Sequence, residues 1–276
     1  MDMLAERTLR QRVVRIYDTE EKAMEQAIKR KQFSLSGSTL KFIAMITMLI
    51  DHIGAVVLLR YILDMQGHIS SVEQYNSMVT LYRVMRGIGR IAFPIYCFLL
   101  VEGFQKTHNL KKYILRLGVF ALIAEVPFDL AFTARVFSLR YQSVMLTLLV
   151  GVLTMWGVSL LERHVKNRIL LVLGGALVIA LGAGAAELMK TDYGYLGILC
   201  IMVLYALRRV KWMQILGGCL VFSWEVWAPV AFLPIAFYDG RRGLRLKYVF
   251  YLFYPLHLLI LYLICVYMGW GNIPAV

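Results

Sequence analysis

The chain has 276 residues, 60% of them hydrophobic and only 17% charged, with a mean hydropathy of +0.66; soluble domains are about half apolar and a quarter charged, so that class is excluded. The net charge of +13 does not require a nucleic-acid partner, because orientation in a membrane and attraction to anionic lipid headgroups both favour Lys and Arg, and no nucleic-acid module is present in the sequence. Continuous apolar runs of spanning length, in place of ten-residue alternating segments, predict an all-α polytopic membrane protein and exclude a transmembrane barrel.

Residues 1–37 read as a charged cytoplasmic extension, with Leu9, Val13, Ile16 and Tyr17 at helical spacing over 4–32. That pattern suits a helix lying on the cytoplasmic leaflet. The first 33 residues hold no apolar core of signal-peptide length, so the first span is expected to direct insertion. Residues 38–276 form the membrane domain. Apolar runs predict spans at 39–62, 88–105, 113–134, 142–161, 169–187, 193–207 and 248–268, with a long run at 212–238 left to assign. Between the first two, Ser70 to Glu73 matches a capping box, and Tyr75, Met78, Val79, Tyr82 and Met85 share one stripe. An external amphipathic helix is expected there.

The cationic connectors are the N-terminus, 106–112, 163–168, 208–211 and 241–247, and the positive-inside rule makes the N-terminus cytoplasmic. If 212–238 crossed once, RRGLRLK at 241–247 would lie outside, against every other basic connector. Two short segments turning at Trp224, Glu225 and Pro229 resolve this. The total is about nine transmembrane segments, two of them short or broken, and short broken segments at depth occur where they are buried or line a cavity. Cys97, Cys200, Cys219 and Cys265 have no metal-ligand spacing, and neither a metal nor a disulfide framework is expected.

Ionisable residues at depth are costly and mark sites or interior contacts. The first span carries Asp51 and His52 in sequence. Lys41 and His52, eleven residues apart, return to within about 20° of one helix face, with His52 about 16 Å further along the axis. Asp51 is about 100° round from His52 and must meet another helix. His257 lies ten residues past Lys247, about 15 Å along the last span, at a depth matching that of His52. A neutral imidazole at that level serves either as packing or as a general base whose tautomer a neighbouring carboxylate holds. Glu125 and Asp129 share one face of the third predicted span with Pro127 between them, placed to orient a His, hold a proton or bind a cation. Arg90 stands at the outer end of the second span, near Pro94, while Glu102 and Lys106 form an ordinary i,i+4 pair.

LKFIAMITMLIDHIG at 40–54, GRIAFPIYCFLLVEGF at 89–104, RLGVFALIAEVPFDLAF at 116–132, DYGYLGIL at 192–199, and YDGRRG with YPLHLLILYLI at 238–264 resemble the TraX family, whose namesake is linked to N-terminal acetylation of F pilin. That family is similar to the wider group of transmembrane acyltransferases, including acyltransferase type 3. There, a basic residue, ten intervening residues and a His mark the first helix. Lys41 and His52 keep that spacing, with Lys where Arg is usual, so the charge is kept but not the bidentate fork. The resemblance implies an acyl-CoA-dependent acyltransferase in the bacterial cytoplasmic membrane, with acetyl-CoA as donor and an unidentified peptide, glycan or lipid acceptor. Lys41, Arg116, Arg241, Arg242 and Lys247 would hold CoA. His52 would be the base or an acyl carrier, with Asp51, Glu125, Asp129 and His257 as orienting groups. Arg90 and Tyr193 would meet the acceptor. The alternatives are a proton-coupled transporter, although no internal repeat supports one, and a non-catalytic component of a conjugation or secretion system.

Overall fold

The computed structural model describes residues 34–65, 71–244 and 247–275. The chain divides into Met1–Leu35 and Ser36–Val276, and every described helix lies in the second unit. The interfacial helix expected over 4–32 lies outside the described residues. Among the described residues the protein is helical, without a named strand; an isolated bridge joins Gln142 to Thr191.

The first helix runs without a break from Gly37 to Met65: α1 (Gly37–His52), a π-helical stretch (Ile53–Leu58) and α2 (Leu59–Met65). Ser36 caps its start through the Thr39 N–H, satisfying one of the donors that a helix N-terminus leaves open. Then come α3 (Val72–Gly89) and α4 (Ala92–Lys106), separated only by Arg90 and Ile91. After them come α5 (Leu110–Thr133), α6 (Val144–His164), α7 (Arg168–Leu188), α8 (Gly194–Ala206), α9 (Lys211–Val221), a 3-10 turn (Ala228–Ala231), α10 (Phe232–Ala236) and α11 (Lys247–Tyr267). Among the described residues five stretches are long and apolar enough to cross a membrane, including Gly37–Met65 and Val72–Lys106, and the chain is a helical membrane protein.

Sequence and structure agree closely over these elements. The amphipathic helix is present as α3, but its cap is Ser71, which accepts from the Gln74 N–H, one residue later than the box predicts. The expected stripe is half-buried at each of its five positions, whereas Glu73, Gln74, Asn76, Ser77, Thr80 and Arg83 are exposed. That stripe faces the first helix. A Cβ added at Gly54 would lie 3.1 Å from Met85, and one added at Gly89 would overlap the Asp51 side chain. Its C-terminal half therefore descends to the level of Asp51 and does not stay at the surface.

The run 212–238 is not one helix. Helix α9 ends at Val221, the chain turns through Trp224 and Glu225, and the 3-10 turn and α10 bring it back. Lys211 closes this excursion, its ammonium donating to the carbonyls of Ala236 (2.7 Å) and Tyr238 (2.6 Å). Neighbouring bonds fix the same end of the bundle. Gly37 and Ser38 donate from their amides to the Arg241 and Arg242 carbonyls (2.8 and 3.0 Å), and Lys106 donates to the Gly240 carbonyl (2.9 Å). The start of α1, the end of α4, the start of α9 and segment 236–244 thus form one basic face.

Candidate active site: a buried histidine pair beside a charged cluster

Helices α1 and α11 run parallel from the basic face, and their contacts come in two layers. In the outer layer the Lys41 ammonium lies 4.8 Å from the Phe250 ring centroid, and Phe42 meets the same ring edge-on. In the deeper layer His52 Nδ1 and His257 Nε2 are 2.6 Å apart, with the rings stacked at 19°. Both imidazoles are buried, at 8% and 5% exposure. The depth match expected from sequence is thus a direct bond.

Its chemistry follows from one acceptor. His257 Nδ1 lies 2.7 Å from the Phe253 carbonyl, which can only accept, so Nδ1 carries the proton. In neutral His257 the Nε2 lone pair then accepts from His52 Nδ1–H, and neutral His52 has its remaining lone pair on Nε2. That nitrogen has no hydrogen-bond partner among the described residues. The tautomer is held by a second imidazole and a backbone carbonyl, where the sequence suggested a carboxylate.

Glu125 and Asp129 do share a face of α5, but they secure the connection to α6. Ser143, the residue preceding α6, donates to Glu125 Oε1 from its hydroxyl (2.5 Å) and its amide (3.2 Å). Asp129 Oδ2 accepts from the Ser138 amide (2.7 Å), and its Oδ1 has no partner. What α5 presents to His52 is the edge of Phe132, 5.7 Å between centroids.

Asp51 finds its partner on α3: Arg86 Nη1 donates to Oδ2 at 2.8 Å, while Oδ1 is buried without one. Around this pair lies a charged cluster. Arg90 approaches Glu225 at 3.4 Å and lies beside the Tyr193 hydroxyl. Tyr141 donates to Asp192, whose charge faces Arg90 and Arg86. Burial pushes the Asp192 carboxyl above the usual carboxylate range. Phe93 stacks on Tyr193 at 3.5 Å. The sequence singled out Asp51, Arg90 and Tyr193 here; it missed Arg86, Tyr141 and Asp192, of which only Asp192 fell within a quoted motif.

The cations expected to hold CoA divide. Arg242 lies near Lys41. Arg116 sits over the rings of Tyr113 and Tyr251 (5.8 and 5.5 Å), with Nε unpartnered. Arg241 is paired with Asp239 (2.6 Å). The Lys247 side chain lies outside the described residues.

Arg60 was not foreseen. It is 0% exposed, and its guanidinium donates to three carbonyls: Ile273 (2.7 Å), Val56 (3.0 Å) and Leu130 (3.5 Å). The π-helical stretch starts directly after His52 and redirects the carbonyl ladder, as the Leu59 amide bonds five residues back to Gly54. Such turns are frequent at functional sites.

No solved structure matches the chain. It is 28% identical, over 261 residues covering 84% of this chain and 96% of the relative, to a protein of Dichelobacter nodosus described as a probable fimbrial assembly protein FimC, serogroup H1. The TraX protein family model matches residues 36–265, which takes in α1 to α11 up to Cys265 and thus the histidine pair and the charged cluster. The chain belongs to the TraX family.

Proposed function

We propose that this protein transfers an acetyl group from acetyl-CoA, held at the cytoplasmic face, to an amine or hydroxyl that reaches His52 from the membrane or the outer side. The observation that carries this reading is the hydrogen-bonded pair His52–His257, which leaves His52 Nε2 as an unpartnered lone pair at depth. His52 takes the acceptor's proton as its nitrogen or oxygen attacks the thioester carbon. The new bond to the acetyl carbon forms, the C–S bond breaks, and the CoA thiolate takes the proton back from the imidazolium. The charge that His52 gains is shared with His257 through the 2.6 Å bond. Lys41 and Arg242, with Arg116 and Lys247, would meet the phosphates, while Arg241 is engaged by Asp239.

The proposed setting is the bacterial inner membrane, with the N-terminus and basic face cytoplasmic and about nine segments, α9 and the 3-10/α10 return being the short pair. Fourteen residues, or about 21 Å of helix, separate Asp51 from Gly37. That is less than the hydrocarbon thickness of about 30 Å, so the charged cluster lies within the bilayer, nearer the outer face. Arg90 and Tyr193 there are placed for the acceptor. The name of the fimbrial-assembly relative supports a pilus subunit as that acceptor.

A second reading, a membrane component of pilus assembly without chemistry, is favoured by Glu125 and Asp129 serving to tie α5 to the 138–143 loop. The test is incubation of the purified protein with labelled acetyl-CoA and membrane extract, with His52→Ala beside it. Label should pass to an acceptor with the native protein and be lost in the variant. If CoA neither binds nor is consumed, the enzyme reading falls and the assembly reading stands; equal turnover by His52→Ala would remove only the base.

A further inference from the structure

In YPLH the spacing puts Tyr254 one turn before His257, on the same side of α11. The structure buries Tyr254 to 4% exposure and sets its ring edge-on to both imidazoles, 6.1 Å from His52 and 5.8 Å from His257. Its hydroxyl faces the amide of Val144, the first residue of the 21-residue helix α6. That N–H has no intrahelical acceptor, and the Ser143 side chain does not cap it, because Ser143 is spent on Glu125. The phenol oxygen thus lies beside the first amide of α6, and the phenol proton has no acceptor among the described residues. Glu125 and Asp192, the carboxylates that face it, are bonded to Ser143 and Tyr141. One turn into α6, Thr147 is likewise fully buried with its hydroxyl unpartnered.

We propose that the Tyr254 hydroxyl, backed by the Val144 amide at the start of α6, donates a hydrogen bond to the thioester carbonyl oxygen and to the oxyanion that forms there. The inference rests on the acetyl-transfer reading. As the acceptor attacks, the carbonyl π pair moves onto oxygen, and Tyr254 meets that charge without giving up its proton. When the pair returns, the C–S bond breaks and the thiolate takes the proton held on His52. A buried phenol wedged between two imidazoles and a helix end is pre-aimed, which is what makes such a donor effective. The positive end of the α6 dipole strengthens it by polarising the phenol oxygen. A packing role would need only the ring.

Tyr254→Phe separates the two roles, since it keeps the ring against both imidazoles. With native protein in lipid nanodiscs, [1-13C]acetyl-CoA as donor and hydroxylamine as a surrogate amine acceptor, kcat should fall about 10²- to 10³-fold in the variant. KM for acetyl-CoA should stay within about threefold. The infrared carbonyl band of the bound donor should move to higher frequency in the variant, because a hydrogen bond to that oxygen is gone. A variant with native kcat, or with the native band position, overturns the assignment and leaves the acetyl-transfer reading intact. If the native protein neither binds nor turns over acetyl-CoA, both fall together.

Discussion

Replacing His257 by Phe keeps an aromatic ring in the deeper α1–α11 layer but removes the Nε2 that accepts from His52. His52 Nδ1–H, at 2.6 Å from its partner in the native protein, is then a buried donor with nothing to bond. Leaving such a group unsatisfied costs about 1–3 kcal/mol. In the proposed acetyl transfer the loss would fall on catalysis through two routes: the ring loses its orientation, and the tautomer with the proton on Nε2, which is useless as a base, is no longer disfavoured. At about 1.4 kcal/mol per tenfold, the rate of acetyl-CoA consumption should fall by roughly 5- to 150-fold. Donor affinity should hold, because Lys41 and Arg242 stand at the basic face. His257→Gln supplies a side-chain oxygen that accepts, and should recover most of the loss. The assay is initial rate at saturating acetyl-CoA in nanodiscs, with CoA affinity from calorimetry as the control. A Phe variant within twofold of native, or a Gln variant no better than Phe, would refute the tautomer argument.

Two further outcomes rest on bonds that fix the site. Arg86→Ala strands Asp51, and with side-chain exposures of 26% and 14% the pair lies between the surface and buried limits. A loss of about 1–3 kcal/mol is expected, seen as a lower Tm in detergent. The neutral pair Asp51→Asn with Arg86→Gln should regain more than half of it, and a double variant no more stable than the single one would show that the ion pair is not what Arg86 contributes. Leu244→Cys tests sidedness: the Leu244 amide donates to Ser38 Oγ at 3.0 Å, so position 244 must share a side with the start of α1. A membrane-impermeant maleimide should modify it only after cells are opened, and labelling of intact cells from outside would reverse the proposed orientation.

Much of this architecture is legible in the residues because the apolar runs are long and the connectors carry charge. The bounds of α4 to α8 and α11 follow the predicted runs, and the basic-connector argument divides 212–238 at Trp224, Glu225 and Pro229, in and just after the turn that follows α9. Periodicity also marked the half-buried stripe of α3, since Tyr75, Met78, Val79, Tyr82 and Met85 obey one helical spacing. The depth of His52 and His257 was readable from axial rise, but their bond was not, because it depends on which spans are neighbours. The same limit hid Arg86. It stands in a segment whose composition reads as external, and only the close approach that Gly89 allows beside Asp51 brings that helix down to the ion pair. Arg60 escaped for another reason. A uniform helical period carries no sign of a π-helical stretch, and without one a cation near the end of a span reads as a snorkelling side chain.

The two faces of the molecule differ in a way that bears on how a large acceptor reaches a base at depth. Arg90 before α4, Tyr193 before α8 and Glu225 after α9 gather around the level of Asp51, with the ion pair Arg90–Glu225 and the bond Tyr141–Asp192 among them. The first helix does not stop there; it continues fourteen residues from Asp51 to Met65, about another 21 Å, with α3 packed along it. In the proposed orientation one side of the bundle would end within the bilayer, with the first helix and α3 extending past it as a wall. Polar groups at such a level are tolerated because they satisfy one another. A chain terminus coming from the outer leaflet would slide down that wall and meet Arg90 and Tyr193 before it met His52. In the proposed acetyl transfer the charged cluster would be an entry ahead of the reacting groups, with donor and acceptor approaching the histidine pair from opposite sides.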